Sequence, residues 1–119
     1  MDEIKIAEEV FNVDKIINIP IMKVHYATGI TLSMKNLKGL LVGDEKMHFH
    51  EFGLDKSIAD LNKVMKPDLH IVDCISCMEG MGPRGGEMVN LNSIMAGKES
   101  ATVDYVGSKI MGYEVEEIK

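Results

Sequence analysis

Residues 18–39, NIPIMKVHYATGITLSMKNLKG, join an apolar run to a dense set of polar groups and then to a helical pattern, and the reading of the chain works outward from them. Ile16, Ile17 and Ile19 form a β-branched run stopped by Pro20, the pattern of a short buried strand. Lys23, His25, Thr28 and Thr31 follow directly. Ile30, Met34, Leu37 and Leu41 then fall at i, i+4, i+7 and i+11, one apolar helical stripe. Thr28, Thr31, Lys35 and Lys38 keep the same spacing on a neighbouring edge, which predicts a helix with hydroxyls and ammonium groups beside its core face. Lys23, His25, Lys35 and Asn36 point to an anion held near that helix N-terminus, where unpaired N–H groups and the dipole favour negative charge. The hand-over from strand to helix is a common ligand position in open α/β sheets. The same residues also fit plain structural roles: solvated lysines, a threonine N-cap and a hydrogen-bonded histidine.

Length and charge bound the function. A chain of 119 residues is a single domain or part of one, with room for one core and not two. Hydrophobic residues make up 45% and charged residues 27%, as in soluble globular proteins. No apolar run approaches membrane-spanning length, and the first ten residues, MDEIKIAEEV, are acidic where a signal peptide is basic and then apolar, so a cytoplasmic location is expected. The net charge of −6 argues against a nucleic-acid partner. The acids gather at the ends, however, and between positions 20 and 50 Lys23, Lys35, Lys38 and Lys46 face only Asp44 and Glu45. A small anionic ligand near the middle is compatible with that distribution, whereas a polyanion needs a broader basic face. Ten methionines without tryptophan are read as adaptable core packing.

Residues 4–15 mix alternation with helical spacing and fit either an edge strand or a short helix. Residues 41–53, LVGDEKMHFHEFG, are read as a loop; if extended, it places His48 and His50 on one side, with Glu51 nearby, as two of the ligands a metal needs. Asp55 is the expected N-cap of a helix buried through Ile58, Leu61 and Met65 and ended by Pro67. Residues 69–74, LHIVDC, form a second strand, with Asp73 at its carboxyl end. Residues 88–97 are a third strand, and Ser100 caps a last helix with Val103, Val106 and Ile110 inward, Asp104 solvated and Gly112 as the stop.

The segment CISCMEGMGPRGGE, residues 74–87, holds the chain's single arginine. Gly80, Gly82 and Gly85 satisfy G-x-G-x-x-G on paper, but Pro83 interrupts it and strand-like residues follow, so the dinucleotide reading fails. What remains is a glycine-rich loop after a strand. It can bring backbone N–H groups to a ligand, with Arg84 suited to a carboxylate or phosphate; a plain surface turn is equally consistent. Cys74 and Cys77 form C-x-x-C, yet they leave a strand for a loop instead of opening a helix, and no further cysteine completes a cluster. An iron–sulfur cofactor would need ligands shared with another chain. The alternative is two small residues packed at a strand end.

Taken together, the two segments resemble the family named domain of unknown function 362. Its Pro-x-x-Lys-x-His, Thr-Gly-x-Thr and Lys-Asn-x-x-Gly elements are similar to Pro20, Lys23, His25, Thr28, Gly29, Thr31, Lys35, Asn36 and Gly39. A later pattern resembles Pro67, Asp68, Asp73, Met78, Glu79, Gly80, Gly82, Pro83 and Gly86, and the closing one Ala101, Asp104, Met111 and Gly112. The resemblance implies an α/β domain and supplies no established reaction. It implies a frequent association with ferredoxin-type modules, and that this chain matches the middle and later part of a longer domain.

The expected fold is therefore α/β over residues 1–119: a small, mostly parallel or mixed sheet of about three to four strands with about three helices. The preferred function is binding of a small anion at the strand carboxyl ends, linked to a redox or related reaction. Lys23, Lys35 and Arg84 hold the anion, with Thr28, Thr31, Asn36, Gly80, Gly82 and Gly86 around it. His25 serves as acid or base, and Asp73 or Glu79 orients it. The alternatives are a non-catalytic domain docking to a ferredoxin-like electron carrier, or a half-domain kept for assembly as a homo-oligomer.

Overall fold

The computed structural model describes residues 3–114 and 116. It has six strands in one mixed sheet: β1 (Ile17–Asn18), β2 (Ile21–His25), β3 (Gly29–Thr31), β4 (Leu69–Glu79), β5 (Glu87–Val89) and β6 (Ser93–Gly97). Four α-helices accompany it: α1 (Ser33–Asn36), α2 (Glu45–Glu51), α3 (Leu54–Val64) and α4 (Ser100–Ile110). The α/β class agrees with the sequence, and the higher strand count has a local cause. β1 and β2 both pair in parallel with β4 and form one extended line interrupted at Pro20, which lacks an N–H for the ladder. The Pro20 carbonyl still accepts from Asp73 N–H at 2.8 Å. β5 and β6 likewise divide the expected 88–97 strand on the other edge of β4, parted by a turn in which Asn92 takes a φ of 50°.

Three expected boundaries move. The chain does not leave the sheet after Ile19 but runs on through Lys23 and His25, then turns back into β3, so Thr28 and Thr31 lie on a hairpin and not on a helix. The long helix expected from Ile30 to Leu41 is one short turn, α1, continued by the 3₁₀ turn Leu37–Leu40. Its apolar residues still face inward, because Ile30, Leu37 and Leu41 are buried from strand, 3₁₀ turn and coil alike. Residues 45–51 form α2 in place of a loop, with Phe49 fully buried. α3 starts without a side-chain cap at Gly53, leaving Asp55 in its first turn, and ends at Met65 ahead of Pro67.

Burial divides into two clusters, where the length alone predicted one core. Met22, Ile30, Leu32, Val72, Cys74, Cys77 and Val103 pack between the sheet and α4. Leu37, Leu41, Phe49, Leu61 and Met65 pack among α2, α3 and the 3₁₀ turn. α4 buries Val103, Gly107 and Ser108 and leaves Val106 and Ile110 exposed, contrary to the expected stripe, because its sheet side is lined by small residues. The far face of the sheet carries Ile17, Ile19, Ile21, Ile75 and Ile94, all exposed. No helix among the described residues is long and apolar enough to cross a membrane.

Candidate functional site

The parallel pairing of β2 with β4 brings the carboxyl ends of both strands to one side of the sheet. Lys23 and His25 alternate along β2 and so share a face, and the hairpin register sets Thr31 opposite Lys23. The chain leaving β4 folds back over β2. Gly82 allows this, since a Cβ there would stand 2.3 Å from the Val24 carbonyl oxygen, and Gly86 makes a similar approach to the Glu79 carbonyl at 2.2 Å. The crossing delivers Pro83 and Arg84 to the mouth of an open groove of about 480 Å³, whose opposite wall is Lys35, Asn36 and Lys38, with Lys46 from α2. Gly80 opens the loop, and its carbonyl accepts from Gly82 N–H at 2.9 Å, so that amide serves the loop itself.

Five cations, Lys23, Lys35, Lys38, Lys46 and Arg84, line this groove with His25, and among the described residues no carboxylate lines it. Burial and the neighbouring lysines push Lys35 down to about 8, with Lys38 and Lys23 the repelling charges and Asp55 a weaker opposing one. Burial, aided by Lys46, also lowers Lys38, whose Nζ lies 2.9 Å from His50 Nε2. His25 is pushed down to about 4 by burial and then by Lys35, Lys23, Lys38 and His50. Its Nδ1 accepts from Ala27 N–H at 3.1 Å, so the neutral ring carries its proton on Nε2 and offers a donor. At neutral pH it is a hydrogen-bond donor and not a charged acid. The buried Thr31 hydroxyl has no hydrogen-bond partner among the described residues.

Lys35 is held by its backbone. Asp104 on α4 accepts from Ser33 N–H at 2.6 Å and Met34 N–H at 3.0 Å, satisfying two orphan donors of α1. Burial raises the Asp104 carboxyl to about 6 even so, with the amides pulling the other way. The sequence reading of Asp104 as solvated is thus corrected. Buried Asn18 donates to the Ser33 carbonyl at 2.8 Å and approaches His70 Nδ1 at 3.1 Å, while its own oxygen accepts from Asn36 at 2.7 Å. Asn62 donates to the Met34 carbonyl at 3.1 Å. Three elements therefore tie down one turn of helix. The Lys35 side chain runs from that turn to donate to Thr28 Oγ1 at 3.2 Å, and Thr28 donates onward to the Ile30 carbonyl at 2.9 Å.

Behind this wall lies a second cavity of about 310 Å³, floored by Ile30, Met34 and Ile58 and edged by Lys35, Asp104 and Tyr105. Lys35 lines both spaces.

The remaining expected residues lie elsewhere. Asp73 is in mid-strand, not at a carboxyl end, and accepts from Ile75 N–H at 2.9 Å; Glu79 ends β4 opposite Glu87 of β5, and neither lines the groove that holds His25. Cys74 and Cys77 do not sit at a strand end but inside β4. Two residues of β2, Ile21 and Lys23, span Asp73 to Met78 of β4, and this irregularity turns both thiols to the same buried side, where a regular strand would part them. Burial pushes both thiols up, which keeps them protonated and unreactive. His48 and His50 are helical, so their side chains diverge by about 200°; His48 pairs with Glu45 at 3.4 Å. Among the described residues no group of three or more His, Cys, Asp or Glu is placed to hold a metal ion.

Asp104, Asn18 and the edge lysines Lys38 and Lys46 escaped the choice of site residues. The charge reversal between positions 20 and 50 was the signal for the lysines, while nothing local marked Asn18.

No solved structure matches the chain significantly. The thylakoid-associated protein sll1697 of Synechocystis sp. is 29% identical over 116 residues, a match that takes in 92% of this chain and 36% of that relative. The chain thus spans about a third of the length of the curated relative it matches. The family model for the domain of unknown function DUF362 matches residues 1–109, nearly the whole chain, and the chain belongs to that family.

Proposed function

We propose that the groove binds a small, multiply charged anion such as a phosphorylated or polycarboxylate metabolite. The single observation that carries this is the assembly of five cations and a neutral histidine donor in one groove that no carboxylate lines among the described residues. Cations are normally paired or dispersed, and holding them together without counter-charge is unfavourable unless a ligand supplies it. Arg84, exposed on the loop, grips the anion from outside, and Lys23 and Lys35 meet it from the strand and the helix turn.

Calorimetric titration with inorganic pyrophosphate and with citrate tests this. Binding should weaken with added salt, and it should take up protons near pH 8 as the anion returns Lys35 to its charged form. Arg84→Ala should weaken binding by about tenfold, the loss of one charge-assisted contact. Absence of heat with both anions, together with an unchanged Lys35 titration, overturns the proposal.

A further inference from the structure

We propose that Lys35 is a carbonyl-reactive amine that forms a Schiff base with a small anionic aldehyde or ketone whose charged end occupies the basic groove. The anionic part of this inference rests on the groove reading above, while the amine chemistry rests on the placement of Lys35.

Four features of that placement converge. The amine stands in the wall common to the basic groove and the cavity of about 310 Å³. A compound with a charged group and a carbonyl a few bonds apart can place the first against Lys23 and Arg84 and the second at Nζ. Its apolar remainder then lies over Ile30, Met34 and Ile58. Second, among the described residues no carboxylate pairs with Nζ. It donates instead to Thr28 Oγ1, a neutral oxygen whose own proton is engaged by the Ile30 carbonyl. Third, the helix turn bearing Lys35 is pinned from β1, α3 and α4, so the amine is presented from a rigid base. Fourth, burial is the first cause that opposes its protonation, and Lys38 on the 3₁₀ turn and Lys23 on β2 add to it; Asp55 on α3 acts the other way and lines the cavity with Asp104 and Tyr105 of α4. The balance holds the amine at about 8, where a useful fraction is the free base near neutral pH.

The step balances without a further reagent. The Nζ lone pair attacks the carbonyl carbon, and the resulting carbinolamine loses water. That water carries away the carbonyl oxygen with both hydrogens of the amine, leaving a carbon–nitrogen double bond. The imine nitrogen then takes one proton from solvent, and the anion held by Lys23 and Arg84 offsets its charge.

The test is reductive trapping on the unmodified chain. The protein is incubated with 4-methyl-2-oxopentanoate or with pyridoxal 5′-phosphate, reduced with cyanoborohydride, and mapped by peptide mass spectrometry. The two probes separate a carboxylate from a phosphate as the preferred charged end. Lys35 should be modified about tenfold faster at pH 7.5 than exposed Lys56 or Lys98, its larger free-base fraction being partly offset by lower intrinsic nucleophilicity. Its rate should level off above pH 8, where the free-base fraction of an ordinary lysine amine is still rising. Uniform labelling with both probes, or a Lys35 rate that climbs like the others, overturns the inference. Pyrophosphate titration of the same sample keeps the two readings apart. Pyrophosphate binding with uniform labelling leaves the groove and removes the amine; preferential labelling without pyrophosphate binding does the reverse.

Discussion

Asp104 and Lys35 share one four-residue helix, the first capping it from α4 and the second borne by it, and both are charged groups drawn out of water. Asp104 lies on α4, and its two oxygens take the Ser33 and Met34 amides. Lys35 projects from the helix itself, hydrogen-bonded to a neutral hydroxyl, with Lys38 and Lys23 opposing its charge more strongly than Asp55 supports it. The first charge completes the fold. The second is left incomplete by it. A buried charge with its hydrogen bonds made is a structural device, whereas one crowded by like charges is maintained for something that arrives from outside.

The largest effect expected is on Asp104. Replacing it by alanine strands two backbone donors and should lower stability by about 2–4 kcal/mol in urea denaturation at pH 5. Its pH signature is distinctive. Because the folded carboxyl lies near 6, above its ordinary 3.8, the native state binds the proton more tightly than the unfolded chain does. The contribution is full below about pH 4 and is lost as pH rises through 6, by about 2 kcal/mol after allowance for partial exposure. Asp104→Asn should remove that fall. If wild type and variant keep parallel stability curves from pH 4 to 7, the carboxylate is not burdened as described.

Gly82→Ala comes next, at about 1–3 kcal/mol, since a Cβ placed 2.3 Å from a backbone oxygen forces the loop outward. The same shift carries Arg84 away from the groove, so pyrophosphate affinity should fall together with stability. A variant that loses neither shows that the loop does not need its close approach to β2.

Lys35→Met should act in the opposite direction to Asp104→Ala, raising stability at pH 7 by about 1 kcal/mol while weakening anion binding. The folded amine near 8 lies below its ordinary 10.5, so the native chain holds fewer protons than the unfolded one between those values. Wild-type stability should therefore gain a component that rises from pH 8 toward 10.5, absent from the variant and suppressed by saturating pyrophosphate. Destabilisation by Lys35→Met would erase the contrast with Asp104.

The smallest perturbation is a rate. Cys74 and Cys77, both buried with their thiols raised, should react with an aromatic disulfide reagent at least about a hundredfold more slowly in the folded chain than in urea. Fast labelling without denaturant would mean that the bulged strand opens readily.

Much of the groove was legible before folding was considered. Lys23, His25, Thr31, Lys35, Asn36 and Arg84 stood out from their residue types and from their places after apolar runs, and the fold brings all six to one groove. Asp73, Glu79, His48 and the cysteines did not join them, each for a geometric reason. An irregularity in β4 shifts parity between Cys74 and Cys77, and helical spacing separates two histidines that an extended loop would have aligned. Asn18 and Asp104 were illegible because their partners lie 15 and 71 residues away, at Ser33.

The sequence by itself determined the α/β class, the apolar runs that become β1 and β4, the glycine-rich crossing and the basic middle of an acidic chain, since each depends on local pattern and composition. Only the tertiary structure decided that a four-residue turn stands where a long helix was expected. It also decided that the apolar residues divide into two clusters and that Lys35 faces two spaces at once. Burial, parity across an irregular strand and hydrogen bonds between distant residues are properties of the packed chain, and no window along the sequence contains them.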